Sequence, residues 1–159
     1  MSEDVGGRPS VRMTEDEAWT MVEGSINGIL VTLKRDGRPV ALPVWHVVLD
    51  RRIYISTRGK KLARVEREPR CSFLVEAGER WADLRAVHLE CTGHIITPSD
   101  ELQARLDDAN DTKYAAYRTA STAMPTETRD HYRNASRGVI ELTVDGKVLS
   151  WDNRKLRTT

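Results

Sequence analysis

One short segment of this chain concentrates positive charge where an apolar run ends. Residues 56–70 read STRGKKLARVEREPR and contain six Arg and Lys side chains, although the whole chain of 159 residues has a net charge of only +1. Gly59 permits a sharp turn, and Lys60 and Lys61 follow it at the start of a helix-like pattern. Two interpretations are open, because these cations either coat a solvated helix or hold an anion.

The residue types around this turn are those of a phosphate site. A helix that begins near Lys60 presents free main-chain N–H groups, and the positive end of its dipole, to whatever lies before it. Lysines at that position oppose the dipole, which favours a bound anion, whereas a charge run alone more often covers a solvated face. The residue types alone favour neither the solvated helix nor the anion site. The predicted phosphate site and its basic surroundings comprise Ser56, Thr57, Arg58, Lys60, Lys61 and Arg64.

The histidines and cysteines do not indicate a metal centre. No two histidines have the close spacing of a zinc site, and the two cysteines, Cys71 and Cys91, lie far apart in the sequence. Each cysteine lies in an apolar run, which predicts buried, reduced thiols, with a disulfide as the alternative. The sequence also lacks a G-x-S-x-G nucleophile elbow. We therefore predict no metal site and no hydrolase of that type.

The composition is that of one soluble domain. A chain of 159 residues can bury a core without metals or disulfides, and its near-neutral charge argues against a general nucleic-acid binder. No apolar stretch of membrane-spanning length and no signal-like start are present, which predicts a cytoplasmic protein without a membrane partner. Residues 1–11 are expected to form a flexible tail and residues 12–159 a single domain.

The elements that position these residues form a mainly β pattern. Thr14 begins a capping box for a first helix, and three strands follow at 28–34, 39–49 and 53–57 as a meander with tight turns. Pro43 inside the second strand indicates an edge or a bulge.

The later segments continue this alternation of elements. A helix from Lys60 stops at Pro69, and strands are predicted at 71–77 and 85–96. The Thr97 hydroxyl is predicted to cap a helix whose first residue is Pro98. The other predictions are helical breaks near Asn110 and Pro125, and a last hairpin that turns at Asp145-Gly146.

Many short strands joined by tight turns favour a closed sheet, because closure removes exposed sheet edges. We therefore predict an α+β, mainly β fold, in which six or seven antiparallel strands form a barrel with short flanking helices.

The segment 28–96 resembles the pyridoxamine 5'-phosphate oxidase-like split β-barrels, which bind FMN or the deazaflavin coenzyme F420. Typical of that family are a strand that ends in Ser or Thr, a basic pair that begins a short helix, an acidic-Pro stop and a buried strand. The matching segments are TLKRDGRPVALPVW (Thr32–Trp45), IYISTRGKKLARVEREPRCSFLVE (Ile53–Glu76) and LRAVHLECTGHI (Leu84–Ile95), and VLSWDNRKL (Val148–Leu156) looks like the closing strand of relatives.

The resemblance implies a cofactor site. In this family the basic pair after the third strand holds the phosphate, which implies Lys60 and Lys61 here, with Ser56 and Thr57 as partners. The cofactor ring lies along the second strand, which implies contacts from Leu42, Pro43, Val44 and Trp45. The second-strand arginine of true pyridoxamine phosphate oxidases is not recognisable, which argues against vitamin B6 oxidation.

Three residues are candidate substrate contacts. His46 follows Trp45 near the implied ring and is either a proton donor or an ordinary core or surface histidine. Trp81 lies in a predicted turn, where a large aromatic is hard to place in a core, and Trp151 is assigned to a cleft wall or a dimer interface. No catalytic side chain is named, since hydride transfer by a flavin requires none.

The cofactor implied first is F420, with FMN as the alternative. F420 carries a polyglutamate tail, and Arg58, Arg64 and Arg67 extend the basic surface in a way that would suit such a tail. The same arginines are alternatively paired with surface carboxylates, and exposed pairs of that kind are weak.

The resemblance implies hydride transfer between F420 or FMN and a small organic substrate. The alternatives are a non-catalytic flavin or F420 binder and a haem-binding relative on the same barrel. It also implies a homodimer with the cofactor at the subunit interface.

Overall fold

The structure is a computed structural model that describes residues 10–135 and 137–156. Of the predicted tail at residues 1–11, only Ser10 and Val11 fall within these ranges, and the rest lies outside the described residues. The Val11 carbonyl oxygen accepts a hydrogen bond of 2.7 Å from the Asp152 main-chain nitrogen. The start of the described chain is therefore tied to its last strand.

Seven strands form one antiparallel sheet that curls into a half-barrel, which confirms the predicted α+β split barrel. The sheet order is β2-β1-β5-β6-β7-β4-β3. The strands are β1 Gly28–Leu33, β2 Pro39–Val44, β3 Val47–Leu49, β4 Arg52–Arg58, β5 Arg70–Ala77, β6 Arg85–Ile96 and β7 Arg137–Asp152. The α-helices are α1 Glu15–Gly24, α2 Lys60–Arg67, α3 Asp100–Tyr114 and α4 Thr126–Asn134.

The predicted strand at 39–49 and the three-stranded meander are wrong. Trp45 and His46 leave the strand, and the two halves, β2 and β3, lie at opposite edges of the sheet. The break is held by tertiary contacts, because the His46 main-chain nitrogen donates to the Tyr114 hydroxyl at 2.8 Å. Pro43 lies in the edge strand β2, as predicted, which has a neighbouring strand on one side only.

The predicted last hairpin is also wrong, because β7 runs without a turn beside β6. The Asp145-Gly146 pair forms a bulge instead. Cys91 pairs with Val144 and Leu89 with Val148, so the intervening residues of β7 face only Glu90. The Lys147 main-chain nitrogen donates to the Glu90 carboxylate at 2.9 Å. Pairing along a long neighbouring strand thus overrides a local turn signal.

Two details of the helical predictions are corrected. Ser99, rather than Thr97, caps α3, because its hydroxyl accepts from the Leu102 main-chain nitrogen at 3.2 Å. The predicted break at Asn110 does not occur, since its side chain donates to the Leu106 carbonyl within a continuous helix. The break at Pro125 is confirmed, and α4 begins directly after it.

The first capping box is confirmed, and the prediction of buried, reduced thiols holds in full for Cys91, whereas Cys71 is a free thiol that is only half-buried. The Thr14 hydroxyl accepts from the Glu17 main-chain nitrogen, and the Glu17 carboxylate accepts from the Thr14 nitrogen at 2.7 Å. Cys71 and Cys91 are free thiols that face each other in register across β5 and β6. Burial raises the pKa of the Cys71 thiol to about 12 and also raises the pKa of Cys91.

Two glycines allow α2 to pack closely against the sheet. A Cβ at Gly93 of β6 would lie 2.7 Å from Val65 Cγ1, and a Cβ at Gly138 of β7 would lie 2.9 Å from Leu62 Cδ2. Val65 is 1% exposed and belongs to the main core cluster. The absence of side chains at these two strand positions therefore sets the depth of α2 and the position of its N-terminus.

Candidate functional site

One end of the sheet opens into a cleft of about 1500 Å³, which we call the main cleft. Strand pairing builds its floor: Ser56 near the end of β4 and Ile96 at the end of β6 both pair with Val139, near the start of β7. Trp45 and the first turn of α2 also line it, together with one side of α3 and part of α4. Six elements, from β4 to β7 in the sequence, therefore meet with Trp45 at this place.

The turn before α2 has the geometry expected of an anion site. Gly59 has φ +66° and ψ −131°, a conformation that is essentially restricted to glycine. No side chain caps the N-terminus of α2, so its first main-chain N–H groups lie next to the main cleft without a side-chain partner. Lys60 and Lys61 line the cleft at this same turn.

Most of the predicted phosphate-site residues come together here. Those that line the main cleft are Ser56, Thr57, Arg58, Lys60 and Lys61. Arg58 also lies over the Tyr132 ring of α4, with 5.4 Å between the guanidinium carbon and the ring centroid. That contact links the basic wall to the helix that closes the cleft on its far side.

Arg64 is the predicted member that the structure places elsewhere. Its Nε donates to the Thr32 hydroxyl at 2.9 Å, and the neighbouring Arg67 donates to the Leu33 carbonyl at 2.6 Å. Both arginines therefore join α2 to β1, and neither lines the main cleft. Leu42, predicted to contact a cofactor ring, also lies outside the cleft lining, whereas Pro43, Val44 and Trp45 belong to it.

Trp45 forms an aromatic wall at the end of the cleft. Its ring stacks on Tyr114 of α3, with 4.4 Å between centroids and 8° between the planes. The Tyr114 hydroxyl accepts from the His46 main-chain nitrogen and lies within 2.9 Å of the carbonyl oxygens of His46 and Ile26, to either of which its single proton can be donated. Since Trp45 remains 39% exposed, part of its ring is available to a flat ligand in the cleft.

His46 lies in the interior and does not line the main cleft. Its ring is 1% exposed, with Nε2 at 2.7 Å from the Val22 carbonyl oxygen and the ring edge against Phe73. Burial, together with the nearby Lys113 ammonium, lowers the pKa of His46 to about 4. Burial also lowers the pKa of Lys113 to about 8, and its Nζ donates to the His46 carbonyl at 3.0 Å.

Trp81 and Trp151 do not line the main cleft either. Trp151 pairs with Ala86 near the start of β6, whereas the cleft lies at the end of that strand. Trp81 is 69% exposed and its carbonyl accepts from the Asn153 side chain, which places it near the same end of β7. The two tryptophans therefore belong to a separate surface of the protein.

The structure adds a polar wall that the sequence interpretation missed. Gln103, Asp107, Asn110 and Asp111 recur at helical spacing on α3 and all line the main cleft. Asp111 pairs with Arg118 at 2.6 Å. Arg137 also lines the cleft, as the direct β7 partner of Arg58. The regular spacing of these polar residues was the available signal, but it indicated only that they share one face of α3. It did not indicate which elements lie opposite that face.

The main cleft therefore combines a cationic wall, a polar wall and an aromatic end. This arrangement suits an elongated ligand that carries a negative charge at one end and a flat ring at the other. No group of three or more His, Cys, Asp or Glu side chains that could hold a metal occurs among the described residues. Within residues 10–135 and 137–156, no helix is long and apolar enough to cross a membrane.

Comparison with known proteins gives a family match and several similar structures. The family model described as pyridoxamine 5'-phosphate oxidase matches residues 14–147. A conserved hypothetical protein from Mycobacterium tuberculosis is 29% identical, with a TM-score of 0.75 over 94% of this chain and 91% of that one.

Two more distant structures share the fold. An FAD-binding protein from Mesorhizobium loti is 16% identical, with a TM-score of 0.63 over 87% of this chain and 91% of that one. The heme storage protein HutZ from Vibrio cholerae is 12% identical, with a TM-score of 0.64 over 86% of this chain and 94% of that one. At these identities the likeness concerns the fold alone.

Proposed function

Because this chain belongs to the pyridoxamine 5'-phosphate oxidase family, we propose that it is an oxidoreductase that binds F420 in the main cleft and transfers hydride between F420 and a small organic substrate. The observation that carries this proposal is the uncapped start of α2, where Lys60 and Lys61 meet free main-chain N–H groups. FMN is the alternative cofactor. Both would place a phosphate at this turn.

The residues of the main cleft fit such a cofactor. Ser56, Thr57 and the first turn of α2 would hold the phosphate, and Trp45 would lie beside the ring. When bound, the cofactor supplies hydride transfer, while the protein binds it, orients it and excludes water. The stacked Tyr114 supports Trp45, and its hydroxyl bonds to the chain just before β1 at Ile26 and just after β2 at His46.

The size of the cleft and its charge support F420 over FMN. Its volume of about 1500 Å³ exceeds the ~300–1000 Å³ of ordinary small-molecule sites. Arg58 and Arg137 continue the cationic wall beyond the lysine pair. A polyglutamate tail would find its basic partners there rather than at Arg64 and Arg67, which bond to β1.

A titration of the apoprotein with F420 and with FMN at low and high salt tests this proposal. F420 affinity should rise with tail length and fall with salt, because exposed charges are screened beyond about 10 Å at 0.1 M ionic strength. The substitutions Arg58→Ala and Arg137→Ala should each lower the affinity for F420 more than the affinity for FMN. Arg35→Ala, in the exposed β1–β2 turn, is the matched control. Tight FMN binding without F420 binding would leave FMN as the cofactor.

The second candidate is a binding protein without turnover, since similar structures include a heme storage protein. Oxidation of the reduced, bound cofactor by an added electron acceptor would support the enzyme. A Soret band after the addition of haem, with neither flavin nor F420 retained, would support haem binding instead.

The assembly is proposed to be a homodimer with two equivalent clefts, each lined by both chains. Leu149 and Trp151 lie on the same face of β7 and are 43% and 39% exposed, and Trp81 lies nearby. We call these three residues the tryptophan patch. Monomeric proteins rarely expose large apolar patches, so a second copy of the chain would cover it. Because the main cleft lies at the other end of β6, the interface would have to extend along the sheet for both chains to line each cleft.

A further inference from the structure

A second cavity lies between α1 and strands β6 and β7. Its volume is about 450 Å³, and it shares no lining residue with the main cleft. We call it the α1 pocket. Its size falls within the ~300–1000 Å³ range of small-molecule sites, which are typically apolar with a few polar groups.

The inner wall of the α1 pocket is formed by the apolar core. Ala18 and Val22 of α1, together with Val87 and Leu89 of β6, line it and are all at most 4% exposed. The outer part of the pocket is lined by the side chains of Trp19, Val144 and Val148. An alkyl chain placed here would contact hydrocarbon on several sides.

The pocket remains open because polar contacts hold α1 at both ends. Near its start, Glu17 bonds to Lys155 at 2.5 Å, and near its end the Val22 carbonyl bonds to the His46 ring at 2.7 Å. Between these contacts, Ala18 and Trp19 line the pocket, and the Ala18 side chain is too short to fill the space next to the core wall. The helix therefore does not settle further onto the sheet to fill the space.

The mouth of the pocket carries charged groups of both signs. Arg12 and Arg51 both line it. Arg51 bonds to the carboxylates of Glu15 and Asp16 at 2.5 and 2.6 Å, so both of its partners are carboxylates of α1 and its guanidinium is already occupied. For Arg12, by contrast, no ion pair is present within the part of the chain that the structure describes. Among the described residues, the Arg12 guanidinium thus lies beside an apolar cavity without a carboxylate partner.

We propose that the α1 pocket binds a medium-chain carboxylic acid, with its carboxylate at Arg12 and its alkyl chain against the core wall. Arg favours carboxylates because its planar guanidinium donates two parallel hydrogen bonds. The apolar lining favours a saturated chain over a sugar or a nucleotide. Since the two cavities share no lining residue, this site is separate from the proposed cofactor site.

Isothermal titration of the full chain with hexanoate, octanoate and decanoate, below their micelle concentrations, tests the site. Each added methylene should lower Kd about fourfold while the chain still fits the pocket. Octanol has the same chain without the charge, so it should bind about tenfold or more weakly than octanoate. Absence of decanoate binding at millimolar concentration would overturn the proposal.

Three variants locate the acid. Arg12→Ala should reduce octanoate affinity about tenfold and leave octanol unchanged, whereas Arg35→Ala should change neither. Ala18→Leu should fill the pocket and abolish binding of both ligands, with FMN or F420 binding retained as evidence of a folded protein. If the acid bound equally well to all of these variants, its site would lie elsewhere and the proposal would be wrong. If Ala18→Leu does not fold, the Arg12→Ala variant still tests whether the carboxylate binds at Arg12.

Discussion

Lys60 and Lys61 lie at the start of α2, where no side chain caps the first main-chain N–H groups. The double substitution Lys60→Ala, Lys61→Ala should weaken FMN or F420 binding by a hundredfold or more, since charge-assisted hydrogen bonds contribute about 1.5–3 kcal/mol each. Fluorescence titration measures the effect. The matched control is Lys34→Ala with Arg35→Ala, which removes the same charge from an exposed turn. Equal affinities of the two double variants would show that the phosphate lies elsewhere.

His46 predicts an acid-sensitive fold. Its pKa is about 4 in the folded protein and about 6.5 in the unfolded chain, so the unfolded state takes up the proton first as pH falls. Stability is therefore complete above pH 6.5 and declines as pH falls towards 4. The expected loss between pH 6.5 and pH 5 is about 2 kcal/mol in the free energy of unfolding.

Urea unfolding at these two pH values measures this loss. His46→Gln should lower stability at both pH values but remove most of the difference between them, because no imidazole is then protonated at this position. His131→Gln, at an exposed position of the main cleft, is the control and should keep the full difference. A His46→Gln variant with an unchanged pH difference would assign the acid sensitivity to other groups.

At the scale of elements, local signals and tertiary contacts determined different parts of the structure. The position of α2 could be predicted from the sequence, because Gly59 and the lysine pair mark its start and Pro69 its end within one short segment. The division at Trp45 did not, because the Tyr114 hydroxyl that holds it comes from a distant helix. The bulge at Asp145-Gly146 was missed for the same reason, since its partner is Glu90 of another strand.

The candidate site divides in the same way. Its cationic wall is contiguous in the sequence, and residues 56–61 could therefore be predicted together. Its polar wall on α3 and the cation at Arg137 reach the cleft only through sheet pairing and helix packing. Arg64 differs from its neighbours because one further turn of α2 directs its guanidinium to Thr32 of β1. Charge alone could not reveal that direction.

The close packing of α2 against the sheet gives a prediction at the scale of elements. Gly93→Ala would place a methyl group 2.7 Å from Val65, a stiff β-branched side chain, and should destabilise the fold by about 1–3 kcal/mol. Because α2 would then shift, cofactor affinity should fall as well. Gly138→Ala meets the flexible end of Leu62 and should cost less.

A double-mutant cycle tests whether the contact is direct. Val65→Ala removes the group that the new methyl would meet, so Gly93→Ala should cost less in that background, by about 0.5–3 kcal/mol. Chemical unfolding of the four proteins supplies the free energies. Strict additivity would mean that Gly93 acts through something other than the packing of α2.

At the scale of the whole molecule, the two cavities and the tryptophan patch occupy separate surfaces. The main cleft lies at the end of β6, and the α1 pocket is bordered by residues nearer its start. Tyr114 and His46 connect the cleft to α1, since His46 bonds both to Tyr114 and to the Val22 carbonyl. A ligand in the α1 pocket would therefore contact Val22, which is connected through His46 to Tyr114, the residue that stacks on Trp45.

The tryptophan patch predicts the oligomeric state. Light scattering at micromolar concentration should give twice the mass of one chain, and Leu149→Asp should convert the protein to a monomer, because a carboxylate would be buried in an apolar interface. Tyr117→Asp is the matched control, since Tyr117 is 56% exposed but lies outside the patch. A dimer that survives Leu149→Asp would place the interface elsewhere, and a monomeric parent protein, unchanged by added cofactor, would refute the homodimer. If both chains line each cleft, the monomeric variant should also lose cofactor affinity, whereas unchanged affinity would mean that one chain forms the whole site.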